Sequence, residues 1–405
     1  MGKGSNLRFL GDFNQTVVLD AIRRAPDGLS RVELGRITGL TAQTMSNIAR
    51  RLLDSGLIRE AERVQQARGK PRTLLRIDPS SQYAVGVHLD PATLTLVLVD
   101  LAGEVQQSAR RRTPEAAEPQ HVISSIAGAV EDLIADSQVD RERVLGVGVA
   151  VPGPVDVAAG MLLDPPQLSS WHNVNLRAEL HAATGLHVLM DKDVTAAAAA
   201  ELWATPGDGR NFVFCYLGSG IGIGVVMNDE VLRGATNNIG EVGEILVDPN
   251  AEDLGFGVPG SLAQTCLPQA LVIRGAAAGL IPRPDSLDDF GAVDQAFTLL
   301  CALAADGDHR AGGLIDSAAE RAGVGLAVMV NLLDVERVVL GGPIWSRISE
   351  RFLAVAPDVI NARLVAAPGV QVTGSAVGEH VAAQGAAVLV LDHFLSPRPS
   401  ALLME

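Results

Sequence analysis

The sequence predicts an α/β protein in two parts. A winged helix-turn-helix covers residues 1–80, and a two-lobed α/β body follows. Three observations carry this. Charge divides near residue 80: residues 1–80 hold 14 Lys+Arg against 8 Asp+Glu, net +6, and the remaining residues hold 18 against 39, net −21. Within the basic segment, a helix, a glycine turn and a polar-faced helix lead into a basic Gly/Pro loop. From Gln82 onward, apolar strand-length runs alternate with helical stretches.

The 405 residues allow two or three domains. Apolar residues are 47% and aromatics 3%, so the core must come from Ala, Val, Leu and Ile. A net charge of −15, taken whole, argues against a nucleic-acid partner; the +6 segment reverses that for residues 1–80. Cys215, Cys266 and Cys301 are far apart, which excludes a disulfide framework and a zinc ribbon and fits a reducing cytoplasm. The first 15 residues contain no apolar signal region, and no stretch is long and apolar enough to span a bilayer. A cytoplasmic protein with no membrane partner is expected.

In the basic segment, Val18, Leu19 and Ile22 form the stripe of a first helix, which Pro26-Asp27-Gly28 ends. Ser30 N-caps a second helix with Glu33 completing a capping box; Leu34 and Ile37 should face the core, and Gly39 ends it. Thr41 caps a third helix from Ala42 to about Ser55, closed by Gly56. Its buried face is Met45, Ile48, Leu52 and Leu53. The other face shows Gln43, Thr44, Ser46, Asn47, Arg50 and Arg51, side chains that read base edges and grip phosphates. Two short strand-like runs, residues 57–58 and 74–77, flank Arg68-Gly69-Lys70-Pro71-Arg72, a wing suited to DNA backbone or minor groove. The candidate DNA contacts are therefore Ser30, Arg31, Thr41, Ala42, Gln43, Thr44, Ser46, Asn47, Arg50 and Arg51, with Gly69, Lys70, Pro71 and Arg72 on the wing. A helical protein-interaction domain with a solvated polar face is the alternative.

The body predicts strands over residues 83–89, 93–100, 144–151, 188–190, 211–217 and 335–340. Helices are expected over 121–134, 194–203, 317–333 and 378–394. The run Gly218-Ser219-Gly220-Ile221-Gly222-Ile223-Gly224 is not a dinucleotide-binding fingerprint: the register puts Ile and Val where glycine is needed, and a hairpin rather than a helix follows. It is either an anion cradle of backbone N–H groups or a tight hairpin. Phe212, Phe214 and Tyr216 alternate on one strand face and should be core; Trp171, in a polar loop, suits a cleft edge or a core. His88, His172 and His187 show no ligand spacing.

Taken with the winged helix, residues 146–154 (GVGVAVPGP), 191–201 (DKDVTAAAAAE), 217–224 (LGSGIGIG), 240–244 (GEVGE) and 340–342 (LGG) resemble the ROK family of repressors, open reading frames and sugar kinases. The resemblance spans nearly the whole chain. It implies a two-lobed actin/hexokinase-like (ribonuclease H-like) ROK domain, with a sugar bound between the lobes. Residues 81–192 plus 378–396 would form lobe 1, and 193–377 lobe 2.

A kinase of this family would use Asp193 as general base. Its first phosphate grip, an Asp, two Gly and a Thr, is here His88-Leu89-Asp90-Pro91-Ala92. Proline removes an N–H donor and Asp90 repels phosphate, so no catalytic residue is assigned. The alternative is an ATP-dependent sugar kinase with an accessory DNA-binding arm. The family's zinc ligands correspond to Glu244, Leu254, Phe256 and Ser261; Leu and Phe cannot ligate zinc, so neither metal nor cofactor is expected. Asp193 and Glu241 match sugar-binding positions, while Lys192, Glu244 and Ala263 replace an Asn, a His and a Glu. Gly153, Lys192, Asp193, Glu241 and Glu244 are the candidate effector residues, with Lys192 either neutralising its acidic neighbours or selecting an acidic ligand. The resemblance implies a transcriptional regulator of sugar-metabolism genes, read as a repressor, with operator DNA, a small carbohydrate or sugar-derivative effector, and further copies of the chain in a homodimer or higher homo-oligomer as partners.

Overall fold

The computed structural model describes residues 7–64, 72–113, 119–165, 168, 171–207, 211–365 and 369–396. The N-terminal arm runs α1 (Leu7–Arg23), β1 (Leu29–Ser30), α2 (Arg31–Thr38), α3 (Ala42–Asp54), β2 (Ile58–Val64) and β3 (Arg72–Ile77). Ser30 caps α2 in a capping box with Glu33, Gly39 ends it in the left-handed conformation, and Thr41 caps α3. Val18, Ile22, Leu34, Met45, Ile48, Leu52 and Leu75 close the arm's core. Ile37 does not join it: that side chain is 61% exposed, because the eight-residue α2 turns only Leu34 inward. The strands pair antiparallel in the order β1-β3-β2, and the flanking strands are longer than expected. Arg68, Gly69, Lys70 and Pro71 lie outside the described residues.

The body holds two sheets, each five-stranded among the described residues. The first is built from β4 (Tyr83–Leu89), β5 (Thr93–Asp100), β6 (Val105–Arg112), β7 (Val144–Val151) and β10 (Val188–Lys192). A small hairpin, β8 (Val155–Asp156) and β9 (Met161–Leu162), follows β7, with helices α4 (Pro119–Ser137) and α5 (Leu176–Thr184) covering one face. The second sheet is built from β11 (Phe212–Leu217), β12 (Ile221–Met227), β13 (Glu230–Leu232), β14 (Arg337–Gly341) and β15 (Gln371–Gly374). Strand orders are β6-β5-β4-β7-β10 and β13-β12-β11-β14-β15. In each, an antiparallel meander continues through two parallel strands, so the two lobes repeat one topology. Helices α7 (Leu262–Cys266), α8 (Pro268–Ala277), α9 (Phe290–Ala305), α10 (His309–Leu333) and α11 (Trp345–Asn361) build the outer layer of the second lobe.

Two further helices, α6 (Asp193–Ala204) and α12 (Val381–Leu395), join the lobes. Alanine explains how closely: α6 buries Ala196, Ala197, Ala198 and Ala200, and α12 buries Ala382, Ala383, Ala386 and Ala387. A Cβ on Gly385 would lie 1.8 Å from the Ala196 carbonyl oxygen, and one on Gly86 of β4 would lie 1.8 Å from that of Ala383. Helix meets helix, and helix meets sheet, backbone to backbone. The three aromatics of β11 are buried in this interface. Trp171 is 2% exposed in the core of the first lobe, not at a cleft edge.

Candidate functional site

Two places in the structure gather chemistry. The first is the outer face of α3. Thr41, Ala42, Gln43, Ser46, Asn47, Arg50 and Arg51 are exposed, while Thr44 is half-buried. The Arg50 guanidinium donates to Asn47 Oδ1 at 2.8 Å, and Ser46 Oγ donates back to the Ala42 carbonyl at 2.8 Å. Thr41 and Thr44 share a hydroxyl contact at 3.0 Å. Arg31, at the start of α2, is half-buried and pairs with Glu60 at 3.0 Å. Arg72 opens β3 and is half-buried near Glu33. Ser30 departs from expectation. It is 2% exposed, and its Oγ both donates to Glu33 Oε2 and accepts from the Glu33 N–H, so the cap consumes it.

The second place is the cleft between the lobes. Strand β10 ends on Lys192, whose extended backbone caps α6, and Asp193 is the first residue of that helix. Lys192 is only 2% exposed. Its ammonium donates to the Ile239 carbonyl at 3.1 Å and the Asn238 carbonyl at 3.4 Å, and forms an ion pair with Glu241. Gly153 fits against this pair: a Cβ there would come 2.9 Å from Lys192 Cε and 3.0 Å from Glu241 Oε1. Asn238 ties the same loop to the first lobe, with reciprocal 2.8 Å bonds to the Val155 N–H and carbonyl. Asp193 accepts from the Val194 N–H at 2.7 Å. Burial drives its carboxyl from 3.8 up to about 7, with Glu241 and Asp90 adding to the rise and Lys192 and the Val194 N–H opposing it. The structure thus brings Gly153, Lys192, Asp193 and Glu241 together. Glu244 stands apart, exposed beside Gly257.

Deeper in the cleft, the two turns that face each other are tied across the lobes. Ser219 Oγ donates to Asp90 Oδ2 at 2.6 Å, and Asp90 Oδ1 accepts from the Ala92 N–H at 2.9 Å. The Tyr216 hydroxyl meets His88 Nε2 at 3.3 Å, with both residues buried. Burial lowers the His88 pKa below its ordinary value against the pull of Asp90, so the imidazole is neutral near pH 7. Of the glycine run, Gly222 and Gly224 are inside β12 and only Gly218–Gly220 form the turn. These cross-lobe pairs were not legible in the sequence, since 128 and 129 positions separate their members.

The loop at residues 248–261 is held by an ion pair and hydrogen bonds. Arg321 donates to Asp248 at 2.6 and 2.9 Å, and Gln264 Nε2 donates to Asp253 Oδ1 and the Phe256 carbonyl at 2.9 and 2.7 Å. Ser261 caps α7, and Cys266 is buried with its Sγ on the Ala318 carbonyl. No group of three His, Cys, Asp or Glu side chains suited to a metal occurs among the described residues. No helix among them is long and apolar enough to cross a membrane.

The model of the ROK family matches residues 84–393. The chain belongs to the ROK family. The MarR family model matches residues 12–69, the winged-helix arm. A putative xylose repressor from Caldicellulosiruptor sp. (strain Rt8B.4) is 27% identical over 321 residues, covering 77% of this chain and 79% of the relative. Among solved structures, a ROK family transcriptional regulator, homolog of the E. coli MLC protein, matches with a TM-score of 0.76 and 26% identity, covering 96% of this chain and 98% of that one. A ROK family glucokinase from Streptomyces griseus, solved with glucose and AMPPNP, matches 76% of this ROK chain and 98% of its own, with a TM-score of 0.65 and 25% identity.

Proposed function

We propose that this ROK protein is a sugar-responsive transcriptional repressor. The arm reads an operator through Gln43 and Asn47, and Arg50, Arg51 and the wing grip phosphates. A small neutral carbohydrate binds between the lobes on Asp193 and Glu241. Two copies assembled as a dimer would set two recognition helices on a palindrome.

The observation that carries this reading is the tie across the cleft. Where a sugar kinase opens two glycine turns to nucleotide phosphates, Asp90 and Ser219 bond to each other and Pro91 offers no N–H. That supports a body kept for binding and movement rather than phosphoryl transfer. Lys192 is spent on Glu241 and two carbonyls, which favours a neutral ligand over an acidic one. The kinase reading rests on Asp193, whose pKa near 7 would suit a general base. A coupled ADP assay across D-glucose, D-xylose and N-acetyl-D-glucosamine separates the two. No turnover, together with sugar-dependent release from a duplex selected out of a random library, is expected; steady ADP production would favour the kinase.

A further inference from the structure

The arm is seated on the body where its own α1 meets the C-terminal ends of α6 and α12. Arg23, in the last turn of α1, lies over the Trp203 ring, 3.7 Å from its centroid. The guanidinium is also held by Asp20 at 2.8 and 3.1 Å, and the side chain is 10% exposed. Trp203 is fixed from below. Its Nε1 donates to the Ala102 carbonyl at 2.9 Å, and the ring rests on Gly103, where a Cβ would come within 2.6 Å. Leu395, at the end of α12, packs against both the arm's core and the cluster that holds Trp203.

Trp203 and Asp193 belong to the same helix. Ten residues of α6 separate them, so the cleft carboxylate is about 15 Å along the helix from the ring on which the arm rests. Small residues line the α6–α12 contact, so the two helices lie backbone to backbone and a displacement of one is carried to the other. A cavity of about 700 Å³ surrounds the joint, bounded by Arg24, Asp191, Arg233 and Asp392 among others, and leaves room for movement. One of its walls is the Asp191–Arg233 pair at 2.8 Å, and Asp191 directly precedes Lys192.

We propose that Arg23 and Trp203 are the coupling residues of the effector response: closure of the lobes on a ligand shifts α6, and the Arg23–Trp203 stack carries that shift to the orientation of the DNA-reading arm. The proposal rests on the reading of the cleft as an effector site, and it concerns positioning rather than ligand or DNA contact. Arg23→Met tests it, because Asp20 keeps Arg24 at 2.7 Å, although Asp392 of α12 loses a neighbouring cation. Trp203→Phe, which retains a ring under Arg23, is the control for folding.

One measurement needs no sugar. Spin labels on Ile37→Cys, exposed on α2, and Ser124→Cys, exposed on α4, report the arm–body distance, since the native cysteines are buried. Pulsed dipolar spectroscopy should give a narrow distribution in the parent and in Trp203→Phe, and a broad one in Arg23→Met. An unchanged distribution in Arg23→Met overturns the joint. The second measurement is the ratio of operator affinity without and with D-xylose, D-glucose or N-acetyl-D-glucosamine. In Arg23→Met the ratio should fall to under about twofold from a parental value of about tenfold or more, with sugar affinity by calorimetry unchanged. A full response in Arg23→Met overturns the proposal. If no sugar alters the parent's DNA binding, the effector reading fails, and the label distances still decide the joint.

Discussion

Asp193 has its charge opposed by burial, by Glu241 and by Asp90. The sign of the pH effect follows. An unfolded Asp ionises near 3.8, while the native one holds its proton to about 7. Between those values the native state binds the extra proton, so stability falls as pH rises through this window and levels off above it. Replacing Asp193 with Asn should flatten the decline of melting temperature from pH 5 to 7 relative to the parent; parallel curves would deny the shift. A sugar hydroxyl donates to the ionised carboxylate, so effector affinity measured by calorimetry should rise from pH 6 to 8 in the parent. Lys192→Met should lower unfolding free energy by about 1–3 kcal/mol, since it leaves the Asn238 and Ile239 carbonyls without their donor. Denaturant titration reads that loss, and no loss would contradict the pairing. Residue types in this cleft were legible in the sequence, but their pairing was not. Glu241 reaches Lys192 across 49 positions, and only the fold brings the loop at Asn238 under β10.

At the scale of elements, the proposed reading of DNA falls to α3. Its caps and buried stripe were evident because each uses local spacing: Thr41 as cap, and Met45, Ile48 and Leu52 one turn apart. Gln43→Ala or Asn47→Ala should cost about 1–3 kcal/mol on a selected duplex and relax its sequence preference. By contrast, Arg50→Gln should weaken all duplexes alike and reduce the salt slope by about one. Fluorescence anisotropy over a range of salt concentrations distinguishes the two classes. Elements that escaped the sequence have their own physical reasons. Strand β6 is an exposed edge, VQQSARRR, with neither alternation nor an apolar run. Helix α11 carries Pro357 inside it, a residue that normally marks a helix end. Ile37 failed in the other direction, an apolar residue at helical spacing that the short α2 leaves in water.

Across the whole molecule, a −21 body carries a +6 arm. Phosphate repels the body, so contact with a duplex falls to the arm. The same scale explains the abundance of alanine: it lets α6 and α12 approach closely enough to join two lobes of repeated topology. Composition announced the alanine, but the reason needed the lobes in place. The nucleotide-side turns, tied by Asp90 and Ser219, should leave the melting temperature unmoved by ATP. The central claim is that a sugar in the cleft governs the arm's grip on DNA. Anisotropy on a duplex selected by the protein, with and without the three sugars, tests it most directly in the parent and in Asp193→Asn. Affinity should fall about tenfold with one of the sugars in the parent and stay unchanged in Asp193→Asn. Equal loss of affinity in both proteins would contradict the claim.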